Sequence, residues 1–348
     1  QENELMKNVA LGKTLELISK KGSKEFYEGT IAKDIVESLK DLGGEHSLED
    51  FSKQTTIRSD TIKSDYKNEF IHQCPPNGPG VTVLIMMKLL EKLNIQNYKF
   101  NSIERFHLEA EATKQAYKIR EENIGDPNFA NFDLNEILSD KNINEIYDNI
   151  NLNSCSDVGD LNIPAHPETI YLTVVDKDLN SVSIINSVCY VFGSGITTNK
   201  TGILLHNRGT NFRVEHGHPN CIDGLKRPLH TIIPGMVIDK NNNATLSYGV
   251  MGGQYQPVGQ VHVLNNIIDY GMGPQEALSF PRAFHFNNIY KLEKSIDNKI
   301  FNGLKKIGHN VEFIEGTHGG GQAIKINRNE GDLIGGSDPR KDGYAKGY

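Results

Sequence analysis

Basic residues are in the minority: 37 Lys and Arg stand against 44 Asp and Glu, for a net charge of -7. That balance argues against a nucleic-acid-binding surface and suits a soluble protein acting on small molecules. Long apolar runs are missing too. The longest, Val81 to Leu90, is interrupted by Lys88, so it predicts a buried helix and no membrane span. Cysteine is scarce and scattered, at Cys74, Cys155, Cys189 and Cys221. There is no paired metal-ligand spacing and no need of a disulfide framework, which favours a reducing, cytoplasmic compartment. An initiating methionine is also lacking. The chain opens on Gln1 and runs directly into a helix, which leads us to expect a missing upstream segment, with a signal peptide as one form it could take.

Two suggestive stretches are incomplete. Cys74-Pro75-Pro76-Asn77-Gly78-Pro79-Gly80 is rigid turn material before an apolar helix, but it lacks the lysine and hydroxyl of a phosphate loop. Glu215-His216-Gly217-His218-Pro219 offers two histidines without completing a zinc ligand set, and reads as a surface loop. Nothing in the chain demands a metal or another cofactor.

What is present is periodic. Helical spacing runs from Glu4 to Lys20, from Thr30 to Leu42 and from Val81 to Leu93, with Ser47-Leu48-Glu49-Asp50 as a capping signal for a short helix near Phe51. A helix from Ser102 to Glu122 carries Phe106, Ala110, Thr113, Tyr117 and Arg120 at three- and four-residue steps, and its acidic residues are expected on a solvated face. A modest helix is expected from Leu134 to Asp148. Asn151 to Pro164 is polar and short of periodic apolar residues, so a mobile connection is expected there. The second half alternates strands and helices: strands at Ile203 to Arg208, Ile232 to Ile238 and Ala244 to Val250, helices at Val258 to Tyr270, Pro274 to Leu278 and Ile300 to Ile307, and a closing strand-turn-strand. Such a chain suits one α+β domain spanning 1–348, with sheets covered by helices.

The stretch that organises the rest is Pro167 to Phe192. Ile170 to Val175 and Val182 to Val188 are β-rich runs separated by Asp176-Lys177-Asp178-Leu179-Asn180, which predicts an antiparallel hairpin. Thr169 stands at its head. Were the chain cut between Glu168 and Thr169, the Thr169 hydroxyl would share a residue with a free α-amine. Such an amine titrates near neutrality and can serve as the hydroxyl's own general base. Gly252-Gly253, just before the helix at Val258, offers backbone N–H groups that could hold a negative oxygen.

Taken together these residues resemble the γ-glutamyltransferases and their acylase-like relatives, in the N-terminal-nucleophile hydrolase group. Phe26-Tyr27-Glu28-Gly29, Pro75-Pro76-Asn77-Gly78 and Glu109-Ala110-Glu111 are similar to motifs of that family's large subunit. Thr169 to Asp176, Phe192-Gly193-Ser194-Gly195, Lys226-Arg227-Pro228, Gly252-Gly253, Ile268-Asp269-Tyr270-Gly271, Pro281-Arg282 and Ser337-Asp338-Pro339-Arg340 are similar to those of the small subunit. The resemblance covers nearly the whole chain. It implies a four-layer αββα sandwich, with 1–168 as the large-subunit-like part and 169–348 as the catalytic part of one intertwined domain. It also implies self-cleavage between Glu168 and Thr169, Thr169 as nucleophile, Ser187 as its supporting hydroxyl, and Gly252 and Gly253 as oxyanion donors.

Departures from the family pattern bear on substrate. Ile170 and Tyr171 follow the nucleophile where typical transpeptidases have threonine and histidine. Arg208 and Asn211 replace a glutamine and an aspartate that contact a glutamyl α-amino group. His230-Thr231 replaces a serine pair that holds the α-carboxylate, and Cys189 replaces a supporting asparagine. Losing the aspartate removes a charge-assisted contact of roughly 1.5–3 kcal/mol. Arg208 could instead clamp a free carboxylate, as in the acylase-like branch. The family's N-terminal segment, which supplies an arginine for the substrate carboxylate, has no counterpart before Gln1. The expectation is therefore a self-processing enzyme for γ-glutamyl or glutaryl-like amides, with water or an amine as acceptor, and with homo-oligomers allowed. The alternative is a non-catalytic relative that keeps the fold as a binding or structural module.

Overall fold

The computed structural model describes residues 4–161, 163–164 and 169–348. Within it the chain divides into two compact units. One holds the described residues up to Ser59 together with Val188–Asn207, and the other holds those of Asp60–Ser187 and Arg208–Tyr348.

In the first unit the helical spacing is realised as α1 (Val9–Lys21), α2 (Ser23–Tyr27), α3 (Thr30–Lys40) and α4 (Leu48–Ser52). The first helix starts later than expected, because the Asn8 side chain caps it by accepting from Leu11 N. Ser47 and Asp50 form the expected capping box. Ile31, Ile35 and Val36 supply the buried face of α3. Asp34 on the same helix is buried and accepts from Lys200 N, Thr201 N and Thr201 Oγ1, tying the 199–202 turn down. The strand expected at Ile203 to Arg208 does not form. Leu205 instead pairs back across a tight turn, accepting from Ser194 N and donating to Ile196 O.

The second unit is built on a six-stranded antiparallel sheet with order β1-β2-β5-β6-β10-β11. Its members are β1 (Ile62–Tyr66), β2 (Glu69–Gln73), β5 (Gly235–Asp239), β6 (Ala244–Met251), β10 (Gly320–Asn327) and β11 (Asp332–Ser337). Helices α5 (Gly80–Lys92), α9 (Gln256–Ile268) and α10 (Pro274–Ser279) pack on it, and α6 (Ile103–Asn123) packs on α5. The modest helix expected at Leu134 to Asp148 is two, α7 (Leu134–Ile137) and α8 (Asp140–Tyr147), because Ser139 caps the second through Asn142 N. A separate sheet, β7 (Ala283–Phe286), β8 (Ile289–Glu293) and β9 (Val311–Ile314), is crossed by α11 (Asn298–Ile307). Its short strands had no distinct sequence signal.

The expected hairpin forms as β3 (Ile170–Val175) and β4 (Ser181–Asn186), and it packs face to face on β6 and β10. Strand β6 is therefore buried on both faces. Leu246, Tyr248 and Val250 belong to the main apolar core. Ser247, whose hydroxyl pairs with Thr173 Oγ1 at 2.6 Å, and Gly249 face the hairpin. Gly249 has to be small: a Cβ there would lie 2.3 Å from the Tyr171 ring. Tyr171 is 4% exposed and its hydroxyl meets Ser183 Oγ at 2.7 Å. On the opposite face of the hairpin Ile170, Leu172, Val174, Val182 and Ile184 are exposed.

Two expectations are corrected here. Glu109 and Glu111 do not lie on a solvated face. Both are buried, neutralised by Arg105 at 2.9 Å and by Lys114 at 2.6 Å. The described residues of Asn151 to Pro164 are irregular, but they are pinned in place. Cys155 N donates to Ile307 O, Leu161 O accepts from Arg213, Ile163 exchanges hydrogen bonds with the Asn287 side chain, and Pro164 O accepts from Gln254. Polar sequence reads as mobile only when its partners lie elsewhere in the chain.

Candidate active site

Thr169 immediately precedes β3 and is 6% exposed. Its inward direction follows from the strand's alternation, in which Tyr171 and Thr173 face the large sheet while Ile170 and Leu172 face out. Register then gives it a partner. Ile170 pairs with Asn186, so the next step of the antiparallel ladder sets Thr169 opposite Ser187. Glu168, the other half of the expected cleavage site, lies outside the described residues.

The sequence reading missed a side chain that touches the Thr169 hydroxyl. Gln256, the first residue of α9, is fully buried and its Nε2 donates to Thr169 Oγ1 at 3.2 Å. Its Oε1 accepts from Ile233 N at 3.2 Å. Gln256 thus joins Thr169 to the segment that bears His230 and Thr231. The available signal was its place just beyond a glycine pair at a helix start, a position usually left to backbone groups.

That glycine pair has the backbone freedom expected of it. Gly252 and Gly253 have φ of 125° and 58°, and a Cβ on Gly252 would meet Gly319 Cα at 2.8 Å. They lead through a single 3₁₀ turn, Gly253–Tyr255, into α9. The pair therefore lies at the positive end of a 13-residue helix whose first residue touches Thr169.

The four expected substrate-binding residues form one neighbourhood. Arg208 and Asn211 lie on a 3₁₀ turn rather than a strand, and Arg208 donates to Ser187 O at 3.3 Å. Asn220 bridges the group, donating to Asn211 O and accepting from Leu229 N, both at 2.7 Å. His230 N donates to Asn77 O, and Asn77 Nδ2 donates to Pro228 O at 2.6 Å. The proline-glycine turn thus serves as a buttress for this segment. Burial, then the charges of Arg208 and Arg227, push His230 down to about 4, so it is a neutral imidazole at physiological pH. Thr231 is fully buried. Cys189, buried with φ of 81°, belongs to the first unit.

The remaining motifs are architectural. Arg282 pairs with Asp338 at 2.5 Å, and Arg340 pairs with Glu293 at 2.6 Å and with Asp338 at 3.2 Å. These ion pairs fasten the closing segment to β8. His216 is exposed and His218 accepts from Asn220 N, as befits a surface loop. A histidine cluster that the sequence did not reveal lies elsewhere. Ligand atoms of His107, Glu111 and His309 lie within 4.8 Å of one another. They are already committed: His107 Nε2–H donates to Asn151 O, His107 Nδ1 accepts from His309 Nε2, and Glu111 holds Lys114 and Ser156. This donor set fits a hydrogen-bonded network, not a cation with a lysine ammonium beside it.

The whole chain, residues 1–348, matches the family model described as gamma-glutamyltranspeptidase. The chain belongs to that family. The glutathione hydrolase-like YwrD proenzyme of Bacillus subtilis (strain 168) is 34% identical over 352 residues, covering 97% of this chain and 65% of the relative. The glutathione hydrolase proenzyme of Escherichia coli (strain K12) is 30% identical over 357 residues, covering 97% and 61%. The crystal structure of cephalosporin acylase from Bacillus halodurans superposes with a TM-score of 0.89 at 30% identity, covering all of this chain and 64% of the acylase. The chain thus spans under two thirds of the length of these relatives. Within the gamma-glutamyltranspeptidase family it has the fold of an N-terminal-nucleophile acylase, with mixed helices and sheets.

Proposed function

We propose that this protein is a self-processing threonine amidohydrolase or transferase for γ-glutamyl or glutaryl-like amides. The observation that carries the reading is Thr169: a buried hydroxyl at the head of β3, one step beyond the Ile170–Asn186 pair of the hairpin and touched by Gln256 at the start of α9. In the first step Thr169 Oγ attacks the Glu168 carbonyl carbon, the peptide C–N bond breaks, and water hydrolyses the resulting ester. Thr169 is left with a free α-amine, and 1–168 and 169–348 become separate pieces. That amine then takes the hydroxyl proton as Oγ attacks the substrate amide. The N–H groups of Gly252 and Gly253 hold the developing oxyanion, the leaving amine departs with a proton, and water or an amine accepts the acyl group.

Arg208 is the acyl group's carboxylate clamp in this reading, with Asn211, neutral His230 and Thr231 lining its surroundings. Relatives named glutathione hydrolase, oxamate amidohydrolase and cephalosporin acylase support an amide substrate. Their proenzyme names support processing. The finer architecture is the four-layer αββα sandwich, for which the hairpin on the six-stranded sheet with α5 and α9 behind supports the αββ part. The test is intact mass and N-terminal sequencing of purified protein and its Thr169→Ala variant, followed by assay with γ-glutamyl and glutaryl anilides. Two pieces, one starting at Thr169, and turnover lost in Thr169→Ala are expected. An uncut wild-type chain without turnover or labelling by an electrophilic glutamine analogue would overturn the reading.

A further inference from the structure

The buried network around α6 contains a nucleophilic pair with no part in the chemistry above. Lys114, 3% exposed, places Nζ 2.7 Å from Cys155 Sγ. Sulfur is larger than oxygen, so a nitrogen at that distance sits well inside ordinary N–H···S contact. One oxygen atom with ordinary single bonds spans such a gap. Around the pair, Glu111 Oε1 lies 2.6 Å from the same Nζ and Ser156 O lies 3.0 Å from it. Lys114 is thereby held with its nitrogen aimed at the sulfur, and a carboxylate stands ready to take its proton. His107 and His309, on the far side of Glu111, are joined to each other at 2.7 Å.

Cys155 is half-buried, and a cavity of about 20 Å³ lined by Lys114, Val158, Ile163 and His285 among others opens beside its partner Lys114. That is room for a water-sized molecule.

We propose that Lys114 and Cys155 form a reversible covalent N–O–S bridge when the protein meets peroxide. One hydrogen peroxide converts the Cys155 thiol to the sulfenic acid and leaves as water. A second removes two more electrons as the Lys114 nitrogen bonds to the sulfenic oxygen: the N–H and O–H hydrogens are lost, two waters form, and the ammonium proton passes through Glu111 to solvent. A thiol reductant restores thiol and amine. The bridge fastens the segment that runs toward Thr169 onto α6, joining residues 41 positions apart.

The experiment treats purified protein with hydrogen peroxide, digests it with trypsin and maps peptides with and without dithiothreitol. The expected product carries Lys114 and Cys155 in one linked species, about 14 Da heavier than the two reduced peptides together, from one oxygen gained and two hydrogens lost. Lys114 in it resists trypsin, and reductant reverses the change. Cys155→Ser abolishes the species. Lys114→Arg leaves Cys155 to proceed to sulfinic acid. Thr169→Ala forms the bridge as wild type does, which keeps this test separate from that of the nucleophile. Cys155 oxidised to sulfenic or sulfinic acid without a link in wild type, or unchanged while other cysteines oxidise, would overturn the proposal.

Discussion

Replacing Gly249 by alanine is the sharpest test of how Thr169, the proposed nucleophile, is positioned. A Cβ at 249 would stand 2.3 and 2.4 Å from two Tyr171 ring carbons, where ordinary contact is 3.4–4 Å. Ring and strand must retreat by more than about 1 Å. The ring cannot simply swing aside, because its hydroxyl is tied to Ser183 and it is buried between two sheets. Overpacking of this kind costs about 1–3 kcal/mol. The larger effect falls on catalysis: Thr169 lies two residues before Tyr171 at the head of β3, and displacement of a reacting group by about 1 Å lowers a rate by roughly 100-fold. Urea unfolding and turnover of a γ-glutamyl or glutaryl anilide, measured side by side, give both numbers. The double variant Gly249→Ala with Tyr171→Leu removes the clash and should recover much of each loss. A Gly249→Ala protein with wild-type stability and turnover would refute the reasoning, as would a double variant worse than the single.

Gln256→Leu should lower turnover by about 10–100-fold through lost orientation of Thr169, and destabilise by about 1–3 kcal/mol because Ile233 N is left unpaired in the interior. Equal activity in Gln256→Leu and wild type would remove Gln256 from the site. The His230 imidazole is held neutral with its titration pushed down to about 4, below the ordinary value near 6.5. Its contribution to stability is therefore complete above about pH 6.5 and is lost as pH falls toward 4. Urea midpoints of wild type and His230→Gln should differ more at pH 7.5 than at pH 4.5. A difference independent of pH would show that His230 is not the group responsible.

Much of the fold was legible because its helices and paired strands obey local rules. Leu48–Ser52 is announced by Ser47 and Asp50, and the β3–β4 hairpin by its turn residues. The motif order also brought out Thr169, Arg208, Asn211 and His230, residues that the fold gathers around Gln256 and Asn220. What failed were readings whose deciding partner is distant. Glu111 reads as a surface acid until Lys114 and Ser156 enclose it. Ile203 to Arg208 reads as a strand until Leu205 turns back on Ser194. Gln256 carries only its place beyond the glycine pair as a sequence mark: its role exists because Thr169 and Ile233 arrive from remote parts of the chain.

The hairpin carrying Thr169 has apolar side chains on both faces, with Leu172 and Val174 outward and Tyr171 and Ile185 inward. A strand so patterned holds no hydrophobic preference for which side it shows to the large sheet. The choice falls to small polar details: the hydroxyl of Thr173 on Ser247, that of Tyr171 on Ser183, and the notch at Gly249. Those contacts act as a key. A slip of one residue would turn Thr169 to the outside while burying as much oil as before, so the difference between a threonine placed for the proposed chemistry and an inert surface one is written in two hydroxyl pairs and one missing methyl group.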